Sequence, residues 1–585
     1  MSASDPRQAG AATRAAPPAG PARGADLVAG ALVDAGVTRV FALSGNHLMP
    51  LFDALVDSPI EIVHVRHEAA AVHMADAWGR LTGEAGVAMV TGGPGHANAV
   101  GAFYTALAAD SPLVLLSGHA PLSELGRGAF QEMAQADLAR PLVKAAWCAQ
   151  SAQSLGGEVE RALGLARAQR PGPVSLSLPS DLLESPAHGA ERARRADARN
   201  PSLAGQHPDL AARGPALASR DHGSLADDPR LAQCLAALEQ ARRPLLVAGP
   251  AFAPARARAR LAQFSDRTAI PALVMESPRG VNDPALGALA EALGLADLVV
   301  LLAKPLDFTL RFGGSPTLAP GARVAAIDAD EASLARSARV AGARLAAGLR
   351  ADPWRALDAI EAASRARATD ANRAWRDEVA RLAAWRPPQW AALASAPGQA
   401  LHPLELGRAV QRWIDRNPDT VFVCDGGEVG QWTQAAVHAG ERLINGVAGA
   451  IGAAIPLAIG ARAARPGAPV LAVMGDGTFG FHMAEFDTAL RHGLPFVAVV
   501  GNDSRWNAEY QIQLREYGAG RAHGCELAPG TRYEKVVEAL GGHGEYVEDG
   551  AGLDAAIERA FASGRPACVN VRVASVAAPV MKHAS

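Results

Sequence analysis

Two short polar turns, each at the end of an apolar run, carry the residues best suited to chemistry in this chain. They are GDGT at 475–478 and GND at 501–503. The apolar runs before them have the length and flanking glycines of buried strands, and the amphipathic stretch between them predicts a helix. Because ligands bind at the carboxyl ends of parallel strands, Asp476 and Asp503 are predicted to lie at one edge of a sheet.

The chemistry that these two turns favour is the binding of a metal and a phosphate. Asp476 and Asp503 offer hard oxygen ligands of the kind that Mg²⁺ prefers. Glycine allows a ligand to approach the backbone closely, and a helix N-terminus binds phosphate. A carboxylate repels a diphosphate directly but holds it through a divalent cation. The pattern therefore predicts a site for magnesium and a diphosphate.

The full span of strand, glycine turn, helix, strand and second polar turn resembles the thiamin diphosphate motif of the acetolactate synthase and pyruvate decarboxylase superfamily. The resemblance implies thiamin diphosphate and Mg²⁺ as cofactors. It also implies that the metal ligands are Asp476, Asp503 and the backbone carbonyl of Arg505. The family carries a second Asn where Asp503 stands, so Asn502 remains an alternative ligand.

A second motif, RHEAAA at 66–71, closes one predicted strand and opens a helix. A Glu in the first turn of a helix commonly does no more than complement the helix dipole. The family, however, carries at this place the glutamate that hydrogen-bonds the aminopyrimidine ring and activates the cofactor, which implies that role for Glu68. Apolar burial would raise the pKa of Glu68 and the helix N-terminus would lower it, and the sequence leaves the balance open.

Further cofactor contacts are implied by the same resemblance. The segment TGGPGHAN at 91–98 resembles the family's pyrimidine-contacting loop. Ile451 aligns with the large apolar residue that bends the cofactor into a V shape. Glu428 stands where related synthases carry glutamine, so its contact with the diphosphate is a departure. The implied contacts besides Glu68 are Pro94, Asn98, Gly427, Glu428, Ile451, Gly475, Asp476, Gly477, Thr478 and Asp503.

The substrate side of the predicted site begins at His47, which follows the first strand. Acetolactate synthases usually carry a proline-glycine turn there, whereas benzaldehyde lyase and some related lyases carry a histidine. His47 is expected to shuttle a proton to or from the substrate oxygen. Gln131, within an FQE segment that matches the synthases, is expected to reach the substrate or the cofactor. The residues expected to line the pocket are Asn46, His47, Trp506, Asn507 and Glu509.

These residues need three α/β domains to position them. The chain has 585 residues, too many for one core, and strand and helix patterns alternate along most of it. We expect three doubly wound parallel-sheet domains. The first and third read as a diverged repeat, because the interval from Thr91 to Ser117 equals that from Gly475 to Gly501. The expected divisions are a disordered tail (1–24), a pyrimidine-binding domain (25–189), a linker (190–228), a central Rossmann-like domain (229–364), a linker (365–400) and a diphosphate-binding domain (401–585).

Composition narrows the class of protein. A formal net charge of −3 favours neither nucleic acid nor an anionic membrane as a partner. The five cysteines are scattered without CxxC spacing, which is typical of reduced thiols and predicts neither disulfides nor zinc. An uninterrupted apolar run long enough to span a membrane is absent from the sequence. We expect a cytoplasmic enzyme that acts on small molecules.

The reaction that the resemblance implies is the joining or cleavage of a carbon–carbon bond next to a carbonyl. The substrates would be 2-oxo acids or 2-hydroxyketones. Acetolactate synthase-like decarboxylation and carboligation of pyruvate is the first hypothesis, and a benzaldehyde lyase-like or 2-hydroxyacyl-CoA lyase reaction is the alternative. A catalytically silent cofactor-binding protein is a hypothesis of another class. The family also implies a homodimer or a homotetramer. After Gly249 no GxGxxG completes a dinucleotide turn, so FAD is not expected in the central domain.

Overall fold

The structure is a computed structural model that describes residues 22–187, 225–364 and 369–581. Within them the chain forms three parallel β-sheets flanked by helices, which confirms the predicted α/β class. The expected tail at 1–24 and the expected linker at 190–228 fall largely outside the described residues.

The first sheet has the strand order β2-β1-β3-β4-β6-β5. Its strands are β1 (Arg39–Ala42), β2 (Glu61–His64), β3 (Gly86–Val90), β4 (Leu113–His119), β5 (Ala145–Cys148) and β6 (Pro173–Pro179). Every residue of β3, β4 and β6 is buried, as expected for strands covered by helices on both faces. The helices of this domain are Gly24–Asp34, Met49–Leu55, Glu68–Thr82, Pro94–Ala108, Gln135–Ala139, Leu155–Arg167 and Ser180–Glu184.

The central sheet has five strands in the order β11-β10-β9-β7-β8. They are β7 (Pro244–Ala248), β8 (Ala272–Val274), β9 (Leu298–Leu302), β10 (Arg323–Asp328) and β11 (Leu345–Arg350). The strand order reverses between β9 and β7, which is where a ligand would bind in an open α/β sheet. The helices around this sheet are Pro229–Gln240, Ala255–Thr268, Leu289–Leu295, Glu331–Ala341, Pro353–Ser364 and Asp370–Ala384.

The third sheet has the order β13-β12-β14-β15-β17-β16, which repeats the order of the first sheet strand for strand. The same topology supports the internal repeat read from the sequence. The strands are β12 (Val421–Cys424), β13 (Glu441–Ile444), β14 (Val470–Gly475), β15 (Val497–Asn502), β16 (His543–Val547) and β17 (Ala567–Arg572). The helices are Pro403–Arg416, Gly427–Ala436, Ala454–Ala464, Asp476–His482, Glu485–Arg491, Asn507–Tyr517, Tyr533–Ala539 and Leu553–Ala562.

The first and third domains share one hydrophobic core. Helix Glu68–Thr82 of the first packs against helix Ala454–Ala464 of the third, and both are rich in alanine. A Cβ added to Gly460 would lie 2.5 Å from the carbonyl oxygen of Met74, so the two helices approach as closely as their backbones allow. This contact holds the segment that precedes Glu68 beside the segment that follows Asp476.

The stretch expected as a linker at 365–400 differs from that expectation. Residues 365–368 are outside the described part, but Asp370–Ala384 forms a helix on the central domain. Trp375, Val379 and Leu382 are buried in a core cluster of that domain, and the Trp375 indole N–H donates to the carbonyl of Pro244. The apolar spacing at i, i+4 and i+7 is that of one helical face.

Candidate active site

The two aspartates at the carboxyl edge of the third sheet lie side by side. Strands β14 and β15 are neighbours with Gly475 opposite Gly501, so Asp476 and Asp503 follow the same edge. Each has one carboxylate oxygen, Oδ2, that is buried and finds no hydrogen-bond partner among the described residues. Burial raises the pKa of Asp476 to about 6. Burial, reinforced by the charge of Asp476, raises the pKa of Asp503 to about 7.

The amide group of Asn502 makes its hydrogen bonds within the protein. Its Nδ2 donates to the Thr531 carbonyl at 3.0 Å and to Asn570 Oδ1 at 3.2 Å, and its Oδ1 accepts from the backbone N–H of Ser504. A side chain used in this way anchors the turn and has little capacity left for a metal. The contrast with the unpartnered oxygen of Asp503 favours Asp503 as the ligand.

Trp506 lies against the glycine turn. A Cβ added to Gly477 would stand 2.7 Å from the indole ring, so only glycine fits beneath it. The ring also meets Phe481 edge-on at a centroid distance of 6.1 Å. The neighbouring Arg505 turns its guanidinium over the ring of Tyr510 at 4.3 Å, and its backbone N–H donates to the carboxylate of Asp503. Gly477 and Trp506, both sequence-predicted site residues, are therefore in contact, and Arg505 contacts Asp503.

Ile451 stands on a loop held by a residue that sequence reasoning missed. Asp425, directly after β12, is buried and accepts the backbone N–H groups of Gly452 at 2.9 Å and Ala454 at 3.2 Å through Oδ2. Ile451 itself is 38% exposed. Its side chain lies close to Gly426, because a Cβ added there would be 3.6 Å from the Ile451 Cγ2. The sequence feature that could have identified Asp425 is its position at the end of a predicted strand, next to the site residues Gly427 and Glu428.

Gly427 and Glu428 open the helix Gly427–Ala436 at this edge. Gly427 has a φ of +77° with open space where a Cβ would be, and Glu428 is buried. Burial raises the pKa of Glu428, while the nearby Arg279 lowers it. Arg279 comes from the central domain and was not predicted as a site residue. Glu509, exposed at the same edge, is close enough to raise the pKa of Glu428 further.

The C-terminal segment 574–581 crosses the same edge, which the sequence did not reveal. Ser575 Oγ donates to Asn507 Oδ1 at 2.8 Å, and Asn507 Nδ2 donates to the Val576 carbonyl at 3.1 Å. The Trp432 indole donates to the Ala577 carbonyl, and the Ala578 backbone N–H donates to Glu428. Asn507, which was expected in the pocket, thus forms hydrogen bonds that anchor this segment.

Glu68 begins its helix at the edge of the first sheet. His67 caps that helix, its Nδ1 accepting the backbone N–H of Ala69. The Glu68 carboxylate is buried and accepts a hydrogen bond from Asn98 Nδ2 at 3.1 Å. A Cβ added to Gly95 would come within 3.3 Å of Glu68 Oε1, so the glycine loop at 91–98 lies directly against it. Pro94, which precedes Gly95 in this loop, is exposed.

His47 and Gln131 lie on the other side of that glycine loop. His47 is buried, its Nδ1 lies 3.2 Å from Thr91 Oγ1, and its ring is 6.0 Å from that of Phe130. Burial lowers the pKa of His47, and the neighbouring His119 lowers it further. Gln131 has a φ of +58° and a buried Oε1 without a partner in the described chain. Asn46, by contrast, is exposed.

Residues that flank the two groups of site residues contact each other within the chain. The backbone N–H of Arg66 donates to the Glu485 carboxylate at 3.0 Å, and the rings of His67 and His482 are 5.9 Å apart. His482 ends the helix that Asp476 begins. The structure therefore brings the first-domain and third-domain segments together through the residues that border Glu68 and Asp476.

Comparison with known families accounts for all three domains. The model described as thiamine pyrophosphate enzyme, N-terminal TPP binding domain, matches residues 22–138. The central-domain model of the same enzymes matches 231–359, and the C-terminal TPP binding domain matches 425–571. The chain belongs to the thiamine pyrophosphate enzyme family. Thiamine pyrophosphate is another name for thiamin diphosphate, so the protein is an enzyme that depends on thiamin diphosphate.

Curated relatives of this thiamine pyrophosphate enzyme carry two different names. It is 33% identical to a probable acetolactate synthase of Mycobacterium bovis over 93% of this chain and 94% of the relative. It is 30% identical to 2-hydroxyacyl-CoA lyase 2 of Danio rerio over 92% and 89%, and 29% identical to the human protein of that name over 89% and 84%. The family is therefore certain from sequence, whereas the relatives differ in the reaction that their names state.

The residues of this thiamine pyrophosphate enzyme fit a cation. Two buried carboxylate oxygens without a protein partner suit a hard cation as a ligand. In the described ranges no group of three or more His, Cys, Asp or Glu side chains could hold a metal ion. The two aspartates would thus need backbone and diphosphate oxygens to complete a coordination shell.

Across the same ranges, no helix has both the length and the apolar character needed to cross a membrane.

Proposed function

We propose that this enzyme uses thiamin diphosphate with Mg²⁺ to form carbon–carbon bonds next to a carbonyl, in the manner of acetolactate synthase. Two pyruvate anions and one proton would give acetolactate and CO₂. The observation that carries the proposal is the pair of buried, unpartnered oxygens on Asp476 and Asp503 beside a glycine turn. Such a pair suits a cation that bridges to a diphosphate.

The third domain would hold the cofactor. Asp476, Asp503 and the carbonyl of Arg505 would bind Mg²⁺, and the amides at the start of helix Asp476–His482 would bind the diphosphate. Ile451, exposed on the loop that Asp425 holds, would support the bend of the cofactor. Bound thiamin diphosphate supplies a carbon nucleophile that adds to a substrate carbonyl and then stabilises the negative charge left by bond cleavage. The backbone contacts would come from Gly427, Gly475, Gly477 and Thr478, with Glu428 beside them.

The first domain would handle protons. Glu68, oriented by Asn98, would exchange a proton with the pyrimidine ring, and Pro94 would lie near that ring. His47 lies beside Thr91, and burial lowers its pKa, which favours the neutral ring; it would exchange a proton with a substrate oxygen. Gln131 would meet the substrate across the Gly93 loop. Asn46, Trp506, Asn507 and Glu509 would border the entrance.

A second candidate reaction is the cleavage of a 2-hydroxyacyl-CoA or a 2-hydroxyketone. Two observations favour it: the similarity to 2-hydroxyacyl-CoA lyase 2 of Danio rerio over 92% of the chain, and the buried His47 at the substrate edge. A neutral histidine there would take the proton of a substrate hydroxyl as the bond beside it breaks. Benzaldehyde lyase-like cleavage of benzoin would use the same group.

We also propose that the enzyme works as a homodimer or a homotetramer. Three large apolar side chains near the third-domain edge are more than one-third exposed: Ile451, Phe481 and Met483. Clustered exposure of this kind is typical of surfaces covered by a partner or a ligand. Light scattering during gel filtration, with and without cofactor, measures the state, and a monomer under both conditions would contradict self-association.

The experiment that tests the proposed reaction compares three substrates. The enzyme, supplied with thiamin diphosphate and Mg²⁺, is incubated separately with pyruvate, with benzoin and with a 2-hydroxyacyl-CoA, and the products are identified by mass spectrometry. We expect acetolactate from pyruvate, lost in Glu68→Gln. Aldehyde from benzoin or from the acyl-CoA, with no acetolactate, would replace the synthase by the lyase assignment. No product from any substrate would contradict both.

A further inference from the structure

An ion pair joins the central domain to the cofactor edge of the third domain. Arg279 Nη2 lies 3.3 Å from Glu428 Oε2. The Glu428 side chain is 7% exposed and that of Arg279 is 41% exposed. The loop that presents Arg279 is fixed, because a Cβ on the next residue, Gly280, would collide with the Thr309 carbonyl at 2.0 Å. Ser277 Oγ also accepts the backbone N–H of Arg279 at 3.2 Å.

Glu428 stands between the two halves of the proposed cofactor site. Its neighbour Val429 packs on Gly501, where an added Cβ would lie 2.6 Å from the valine methyl, and Gly501 is two residues before Asp503. On the other side, Gly426 borders Ile451. Glu428 therefore lies between Gly426, which borders the loop of Ile451, and Val429, which packs on the strand that leads to Asp503.

This position creates a charge problem. Four carboxyl groups lie at one edge of the sheet, those of Asp476, Asp503, Glu428 and Glu509. A cation shared by Asp476 and Asp503 offsets their charge, but Glu428 is too deeply buried for water to screen it. An unneutralised Glu428 would repel a diphosphate at this edge. Arg279 is the cation that the structure places against it.

We propose that Arg279 neutralises Glu428 across the domain boundary and so allows the third-domain edge to accept a diphosphate. The inference rests on the proposed cofactor role of that edge. It assigns the central domain a part in cofactor affinity that does not require a nucleotide of its own. Arg279 acts through Glu428, so it is a positioning residue whose effect vanishes when Glu428 carries no charge.

The test is a double-mutant cycle on cofactor affinity. The dissociation constant of thiamin diphosphate, at saturating Mg²⁺, is measured by tryptophan fluorescence or calorimetry for the wild type, Arg279→Ala, Glu428→Gln and the double variant. We expect Arg279→Ala to weaken binding by about 10- to 100-fold, since the lost partner leaves a buried charge unpaired. Glu428→Gln should bind at least as tightly as the wild type. The double variant should recover to within about threefold of Glu428→Gln, as expected for a coupled pair.

Controls separate this role from a loss of structure. Arg311→Ala removes another arginine of the same region, whose side chain donates only to Asn282 in the described hydrogen bonds, and should leave the affinity unchanged. Arg279→Gln, which keeps the side chain's polarity without its charge, repeats the test if the alanine variant does not fold. Thermal midpoints of the cofactor-free variants report folding.

Several outcomes overturn the inference. Unchanged affinity in both folded Arg279 variants would do so. A double variant as weak as Arg279→Ala would also do so, because Arg279 would then act on the diphosphate or on the fold without Glu428. Failure of the wild type to bind thiamin diphosphate would instead overturn the proposed function, and the inference with it.

Discussion

The carboxylate of Asp425 accepts the backbone N–H of Gly452 at 2.9 Å and so fixes the loop on which Ile451 stands. The same oxygen accepts the N–H of Ala454 at the start of the next helix. One buried carboxylate thus connects the end of β12, the exposed Ile451 and the helix that packs on the first domain. The sequence motif identified Ile451, but the residue that positions it lies 26 positions earlier.

Burial of Asp425 predicts a pH-dependent stability. Burial raises the pKa of Asp425 from 3.8 to about 6. Between these values the folded state holds a proton that the unfolded state has lost, so this group's contribution to stability falls as pH rises towards 6. Relative to Asp425→Asn, the wild type should lose about 2 kcal/mol between pH 4 and pH 7, at about 1.4 kcal/mol for each pKa unit. Thermal midpoints of both proteins across that range check this, and parallel curves would contradict it.

Glu68→Gln should separate cofactor activation from cofactor binding. Glutamine keeps the size of the side chain and an acceptor for Asn98 but cannot exchange a proton. We expect the thiamin diphosphate affinity to stay within a few-fold of the wild type, and turnover to fall by about 10²–10⁴-fold. Asn98→Ala is the matched control for the orienting hydrogen bond. Near-normal turnover in Glu68→Gln would remove Glu68 from the mechanism.

Asp503→Asn should preserve Mg²⁺-dependent cofactor binding. The amide oxygen still ligates a hard cation. The change removes the like charge beside Asp476, so the cofactor-free protein should become more stable by about 1–3 kcal/mol, the order expected for one like-charge contact near a protein surface. Calorimetric binding and thermal unfolding measure the two effects. Loss of cofactor binding in this variant would show that the site requires both carboxylates.

The purified enzyme should be colourless, with no bound flavin. Residues of the first domain contact the carboxyl edge of the central sheet, where β7 and β9 end side by side. Asp110 accepts the Ala251 backbone N–H at 3.3 Å, and Arg170 pairs with Asp110 at 2.6 Å and with Asp328 at 3.1 Å. An added Cβ on Gly249 would lie 2.0 Å from the Ala303 carbonyl oxygen, so the turn after β7 packs closely on the end of β9. A visible flavin spectrum that survives gel filtration in stoichiometric amount would contradict this.

The fold class could be predicted from the sequence because the alternation of apolar runs and glycine turns is a local pattern. Strands such as β3, β4, β14 and β15 are apolar runs closed by glycine, and the repeat left equal intervals in both halves. The helix Asp370–Ala384 was missed even though Trp375, Val379 and Leu382 carry its period, because the surrounding residues are charged and alanine-rich. Strands β5 and β13 have only four residues each, and their burial depends on neighbours elsewhere in the chain.

The parts of the site that escaped prediction depend on contacts between distant segments. Arg279 is 149 residues from Glu428, and the C-terminal residues Val576 and Ala577 meet Asn507 and Trp432 from the far end of the chain. Nothing in the spacing of these residues indicates that they meet. The residues proposed from motifs remain predictions until their variants are assayed.

The most direct test of the account is the Mg²⁺ dependence of thiamin diphosphate binding in the wild type and in Asp476→Ala. Protein stripped with a chelator is titrated with the cofactor by calorimetry, with and without Mg²⁺. The account predicts that the wild type binds at least about 100-fold more tightly with Mg²⁺, a difference of ~2.7 kcal/mol, and that Asp476→Ala loses this gain. Equal affinity without the metal, or an unchanged gain in Asp476→Ala, would contradict the claim that this edge holds the diphosphate through a cation.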